Sequence, residues 1–249
     1  MPDDQKRVFK STADLRPADI CSLYDGFNSP IAELDCGRKW APHNPSGKPF
    51  CCDICQAVPA AYKSEWKYLE QSTRFAWQIV RHRWRGKAET SAETTPEDVA
   101  RIRADTPKGM VLLACLGPSQ CRREFQALSC RQFAFFPYVT SDYRFIGLAY
   151  EQHYEPVCWV ISNLPQVTQR YRDEFVRTYD GLSALFQEEF EQYAYHSELM
   201  RAEFLKRKRR FRLLNRDGGY YLVSANRERL ERVEADRLPR FGVYGTGKT

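Results

Sequence analysis

Apolar side chains recur at helical spacing in two parts of the chain. Tyr62, Trp66, Leu69, Phe75, Ile79 and Val80 follow such a pattern, and Pro59 suits a position at or just before a first turn. Further on, Val167, Tyr171, Phe175, Tyr179, Leu182, Phe186, Phe190 and Tyr193 fall mainly three or four apart. That stripe predicts one long amphipathic helix. Shorter apolar runs read differently. Met110 to Cys115 predicts a buried strand. Phe133, Phe135, Phe136 and Tyr138, then Phe145, Ile146 and Leu148, predict two strands joined by a hairpin turn over Thr140 to Tyr143. Asn215 to Gly219 is a turn signal before a short strand over Tyr220 to Val223. Ser224 to Val233 reads as a brief charged helix, and Asp19 to Phe27 as a short helix or an extended arm.

Between Ser29 and Pro49 this regularity stops. Proline and glycine favour a turn-filled path there. Gly86 to Pro107 is polar, with a helix start at Thr95-Pro96-Glu97-Asp98, where a threonine cap, a proline and first-turn acids agree. These elements together predict an α+β, mostly helical fold. A lead-in over residues 1–28 precedes a compact cysteine-cluster metal-binding domain over 29–165. A helical C-terminal extension with the long helix and a basic segment fills 166–249.

The chain has 249 residues, enough for one sizeable core or two small ones. No run reaches the roughly 18–20 apolar residues of a membrane span. The N-terminal MPDDQKRVFKSTADLRP lacks the apolar core of a secretory signal. The expected location is therefore cytoplasmic, where thiols stay reduced. That expectation governs how the 9 cysteines are read.

Cys115, Cys121 and Cys130 stand at C-x5-C-x8-C, and Cys36, Cys51, Cys52 and Cys55 form an upstream group. Clustered thiols in a reducing compartment point to a metal, because thiolate is a soft ligand for zinc, copper(I) and iron–sulfur clusters. The alternative, buried thiols acting as small hydrophobes, is common for single cysteines. It suits Cys21, which stands apart. Cys158, beside Trp159 in an apolar run, also reads more as packing than as a ligand. His43, in Pro42-His43-Asn44-Pro45, reads first as a hydrogen-bonded loop residue and second as a ligand.

Two basic segments bear on partners. Trp77 to Arg85 (WQIVRHRWR) would suit stacking on single-stranded nucleic acid, but a helix end with core aromatics explains it more simply. Lys206 to Arg212 (KRKRRFR) is the densest charge run, and it fits an acidic protein or nucleic-acid partner as well as a solvated helix end. The net charge of +6 adds little to either reading. Glu188, Glu189 and Glu191 read as a solvated face, since no Glu-x-x-His accompanies them. The chain has no nucleotide-binding glycine loop, no HExxH and no G-x-S-x-G.

The cysteine pattern resembles the YkgJ-type cysteine-cluster family, a zinc- or iron-chelating domain. The resemblance rests on Cys36, Cys51-Cys52, Cys115-Leu116-Gly117, Cys121 and Cys130-Arg131, with Phe133 and Phe136-Pro137. It covers roughly residues 30–160. It implies metal binding, and a similar domain occurs in flagellin lysine N-methylases. The chain departs from the family where a second cysteine commonly follows the first: after Cys36 stand Gly37, Arg38, Lys39 and Trp40.

The expected ligands are Cys36, Cys51, Cys52, Cys121 and Cys130, with Cys115 next and Cys55 behind. Four thiolates hold zinc tetrahedrally or an iron–sulfur cluster, and spacing does not separate the two. The function expected is a cytoplasmic protein chelating zinc or iron. The alternatives are an iron–sulfur enzyme, methyltransferase-like or redox, and an adaptor acting through Lys206 to Arg212.

Overall fold

The computed structural model describes residues 11–53, 57–73, 77–79, 97, 100, 104, 106, 109–115, 118 and 121–244. Helix α1 (Pro17–Gly26) starts at a proline whose missing N–H would be unpaired anyway. The Asp19 carboxylate accepts from the Arg16 N–H at 2.7 Å. A one-turn helix α2 (Cys36–Trp40) interrupts the irregular stretch that follows, capped by Asp35, which accepts from the Arg38 N–H at 2.9 Å. Then come β1 (Ala60–Tyr62), α3 (Lys63–Thr73), β2 (Trp77–Ile79) and β3 (Met110–Cys115), and the three strands form an antiparallel sheet with β3 in the centre.

The second sheet has five antiparallel strands. The short helix α4 (Leu128–Gln132) leads into β4 (Phe135–Val139) and β5 (Phe145–Tyr150). Helices α5 (Trp159–Ser162), α6 (Gln169–Leu185) and α7 (Gln187–Lys206) intervene before β6 (Arg210–Asn215), β7 (Tyr220–Ser224) and β8 (Arg229–Val233). The order β4-β5-β6-β7-β8 follows the chain. β5 and β6 meet through Gly147 opposite Asn215 and Leu148 opposite Leu214. This sheet therefore joins residues from both the 29–165 and the 166–249 segments.

The hairpin expected at Thr140 to Tyr143 is present, as are the strands at Met110–Cys115 and Tyr220–Ser224 and the helix over Asp19 to Phe27. The fold is α+β. Two expectations for the C-terminal part are corrected. The aromatic stripe does not lie on one long helix, because Phe186 takes an extended conformation (φ −132°, ψ 97°) and separates α6 from α7. Phe186 is itself buried, so the break lets both helices turn their aromatics into the core. The charged segment after Ser224 forms β8 rather than a helix, since pairing with β7 satisfies its backbone. Trp77–Ile79 is a strand, not a helix end, and 80–85 lies outside the described residues.

One aromatic core underlies both sheets. Phe27 packs edge-on to Phe175 with centroids 5.9 Å apart, Phe175 tilts against Tyr179 at 4.5 Å, and Phe211 contacts both Tyr138 and Phe204. α7 lies across β4 and β6 and against α6, while α1 packs on α3 and α6.

Candidate metal centre

The cysteine-bearing segments are fixed by their neighbours more than by regular structure. Asn44 closes the 44–53 loop, donating from Nδ2 to the Lys48 carbonyl at 2.9 Å and to Asp53 Oδ2 at 3.4 Å. The loop can fold back on α2 because residue 37 is glycine, where a Cβ would stand 3.3 Å from the Pro49 Cβ. Cys51 and Cys52 follow on a 3-10 turn over Phe50–Cys52. The Phe50 ring meets Tyr154 at 5.1 Å, and Tyr154 also meets Phe133 at 5.1 Å. Those contacts hold the turn against the segment that follows Cys130.

That segment is held by two buried charges. Arg131 donates to the carbonyls of Gln126, Tyr24, Phe27, Arg123 and Glu124 and to the Asn28 side-chain oxygen, at 2.6–3.2 Å. Its guanidinium lies 4.2 Å over the Tyr24 ring. Glu65 accepts from the Leu128 N–H and the Tyr24 hydroxyl, both at 2.7 Å. Burial holds Glu65 above the usual carboxylate range, although those hydrogen bonds and Arg131 oppose it. From α6, the Tyr171 hydroxyl donates to the Arg131 and Gln132 carbonyls at 3.1 and 3.0 Å. Cys130 thus sits on a single helical turn clamped from three sides.

The outcome is a cavity of about 330 Å³ lined by Cys51, Cys52, Cys121 and Cys130, with Gln132 and Glu151 among its polar walls. The Gln126 amide donates to the Cys121 sulfur at 3.4 Å. Tyr179 and Tyr193 both donate to Gln132 Oε1, the latter at 3.4 Å. Glu151 faces His196 Nε2 at 3.1 Å. Ser129, also on the wall, has a buried hydroxyl with no hydrogen-bond partner.

Four of the seven expected ligands, from both sequence clusters, thus border one cavity. Cys36 opens α2 outside this cavity, though near enough to Cys51 and Cys52 to act on them electrostatically. The Cys115 backbone ends β3, opposite Trp77. Cys55 lies outside the described residues. Cys21 is on α1 and interacts with Tyr68 of α3, in keeping with a structural role. The His43 ring rests against Trp40 at 5.0 Å. Cys158, read from sequence as packing, caps α5 and acts electrostatically on Cys51. A cysteine opening an apolar run gives no signal of that placement.

The thiols are mostly held neutral. Burial, with Asp35, pushes Cys36 up to about 11, and burial pushes Cys158 up to about 12 and raises Cys121. Cys51 is raised chiefly by its hydrogen bond with Cys52, while Cys52 is lowered by the same hydrogen bond. Their sulfurs lie 4.0 Å apart. Two thiolates on one tetrahedral zinc stand about 3.8 Å apart, given Zn–S bonds of about 2.3 Å. The pair is close to ligand spacing, and a bound cation would displace the thiol protons. Among the described residues, however, no group of three or more His, Cys, Asp or Glu side chains already stands as a metal-holding group. Cys21, Cys36, Cys51, Cys52, Cys121, Cys130 and Cys158 form no disulfide.

The basic run is largely engaged within the molecule. Arg207 pairs with Glu203 at 2.7 Å, Arg209 with Glu155 at 3.0 Å and Arg210 with Glu231 at 2.5 Å, while Arg212 is fully buried. No described helix is long and apolar enough to cross a membrane. No family model, curated protein or solved structure matches this chain.

Proposed function

We propose that this chain is a metal-binding protein that chelates zinc or iron through Cys51, Cys52, Cys121 and Cys130, as a YkgJ-like cysteine cluster. The observation that carries the reading is the cavity lined by these four thiols, drawn from segments some seventy residues apart in sequence. Thiolates suit both metals, and closure of the site by metal would tie the 36–53 loop to the 121–132 segment and add folding free energy. Reduced cysteines suit a cytoplasmic setting. Cys115 and Cys55 stand as reserve ligands in this reading.

The size of the cavity favours a second reading, an iron–sulfur enzyme of methyltransferase-like or redox type. Its volume falls within the roughly 300–1,000 Å³ range of small-molecule sites, more than a bare ion needs. Glu151 and Gln132 would then be the polar groups facing a substrate. The adaptor reading gains nothing comparable, because the arginines at 207, 209, 210 and 212 serve internal contacts.

The test is metal content in variants of the reduced protein. Cys121→Ser and Cys130→Ser are each expected to lose bound metal, whereas Cys21→Ser keeps it. Equal content in all three would overturn the assignment.

A further inference from the structure

Two polar side chains on the cavity wall have opposite hydrogen-bonding roles, and the fold sets them side by side. Gln132 ends α4, and Glu151 directly follows β5. The Glu151 N–H donates to the carbonyl of Ala134, two residues beyond Gln132, at 3.1 Å. Helix α7 reaches both from the other side. The Tyr193 hydroxyl lies 3.4 Å from Gln132 Oε1, and His196 Nε2 lies 3.1 Å from Glu151 Oε1. Positions three apart on a helix are neighbours, with Cβ atoms roughly 5–6 Å apart. Gln132 and Glu151 are thus held on adjacent anchors.

Each is fixed in what it can offer a ligand. Gln132 Oε1 accepts from two hydroxyls, those of Tyr179 and Tyr193. With the oxygen taken, Gln132 presents its NH2 group, which only donates. Glu151 presents a carboxylate, which only accepts and keeps lone pairs beyond the contact with His196. The same wall carries Val58, Pro59 and the rings of Phe133 and Tyr154, whose centroids lie 5.1 Å apart at a tilt of 48°. A flat apolar body has a surface to rest on there.

We propose that the cavity binds a neutral, ring-bearing carboxamide, whose oxygen accepts from the Gln132 amide and whose N–H donates to the Glu151 carboxylate. The inference rests on the second reading above, that the cavity takes a small molecule. One donor beside one acceptor discriminates between ligand classes. A carboxylate ligand would suit Gln132 but meet the like charge of Glu151. An amine would suit Glu151 but leave the Gln132 N–H groups facing another donor. A carboxamide carries an acceptor and a donor on one planar group and satisfies both walls without a net charge. Its ring then lies against Phe133 and Tyr154.

The experiment is titration of the reduced, full-length protein with benzamide, benzoate and benzylamine, followed by ligand-observed NMR. Benzamide is expected to bind at least about tenfold more tightly than either charged probe. Gln132→Glu keeps an oxygen for the two tyrosine hydroxyls and removes the donor, so it is expected to unfold like the wild type and to lose benzamide by a similar factor. Benzoate or benzylamine binding as tightly as benzamide, or Gln132→Glu binding benzamide unchanged, overturns the carboxamide assignment and leaves the small-molecule reading standing. Failure of all three probes to bind the wild type overturns both. Should Gln132→Glu not fold, N,N-dimethylbenzamide on the wild type replaces it. That probe has no N–H for Glu151 and is expected to bind about tenfold more weakly than benzamide. Equal binding overturns the proposal.

Discussion

Arg131 shows how a residue read as part of a metal motif acts through structure. Its N–H groups close five backbone carbonyls and one amide oxygen, so it fixes the turn that carries Cys130. Arg131→Met would leave several of those acceptors buried and unpaired, at roughly 1–3 kcal/mol each before relaxation. The expected outcome is a loss of at least about 3 kcal/mol in urea unfolding, with weaker zinc uptake although no sulfur has changed. Unchanged unfolding would contradict this role. Glu174 is a second such residue. It accepts from the Asn28 N–H at 2.9 Å and from the Ser29 N–H and hydroxyl at 2.7 Å. Burial opposes its ionisation, but Ser29, Arg170 and Asn28 outweigh burial and hold it below the usual carboxylate range. A depressed folded-state pKa stabilises above the unfolded value near 4.5, and the contribution disappears as pH falls through the folded value. Glu174→Gln is therefore expected to cost on the order of 1–3 kcal/mol at pH 7 and much less at pH 3, measured by denaturant unfolding. An equal cost at both pH values would show that charge is not involved.

Among the elements, those set by local pattern were legible and those set by pairing were not. The hairpin at Thr140 and the strand from Met110 follow from apolar runs and turn residues. Phe186, by contrast, continues a helical stripe in sequence, and only the packing of two helices shows why it leaves the helix. Residues 224–233 alternate basic and acidic side chains in a helical manner, yet Glu228 takes a positive φ of 49° in the turn that starts β8. There its carboxylate accepts from the Tyr138 hydroxyl at 2.7 Å and the Ser141 N–H at 2.9 Å. No local pattern encodes those partners. Gly147 is another case of pairing. A Cβ there would stand 2.2 Å from the Leu214 carbonyl oxygen, across the β5–β6 junction that joins the two halves of the sheet. Gly147→Ala is expected to destabilise by at least about 2 kcal/mol through the forced shift of β6. A variant with wild-type thermal melting would show that the strands separate easily.

For the molecule as a whole, the sequence showed that cysteines cluster, but not which thiols share a wall. Cys51, Cys52, Cys121 and Cys130 border one cavity because Tyr154 and Arg131 tie their segments together; the sequence offered Arg131 only as part of the family resemblance, and Tyr154 not at all. Cys158, read from sequence as packing, does pack against the core. The cavity wall also contains a titrating contact. Burial lowers the basicity of His196, but its hydrogen bond to Glu151 outweighs that and raises it above 6.5. A raised folded-state pKa gives stability that is fully present below 6.5 and lost as pH rises through the folded value. Wild-type protein is thus expected to lose more stability than His196→Gln between pH 6 and pH 9, read by denaturant unfolding of the metal-free form. Parallel losses would assign no such part to His196.

The central claim is that the thiols bordering the cavity hold a metal. The most direct test is purification without oxygen and without a histidine tag, followed by measurement of zinc, iron and acid-labile sulfide. Zinc or iron at one or more per chain, absent from Cys130→Ser prepared in the same way, is the expected result. Iron with matching sulfide would place the enzyme reading first, and zinc without sulfide the chelating one. A wild-type chain that carries neither metal and takes up neither on titration would contradict the account.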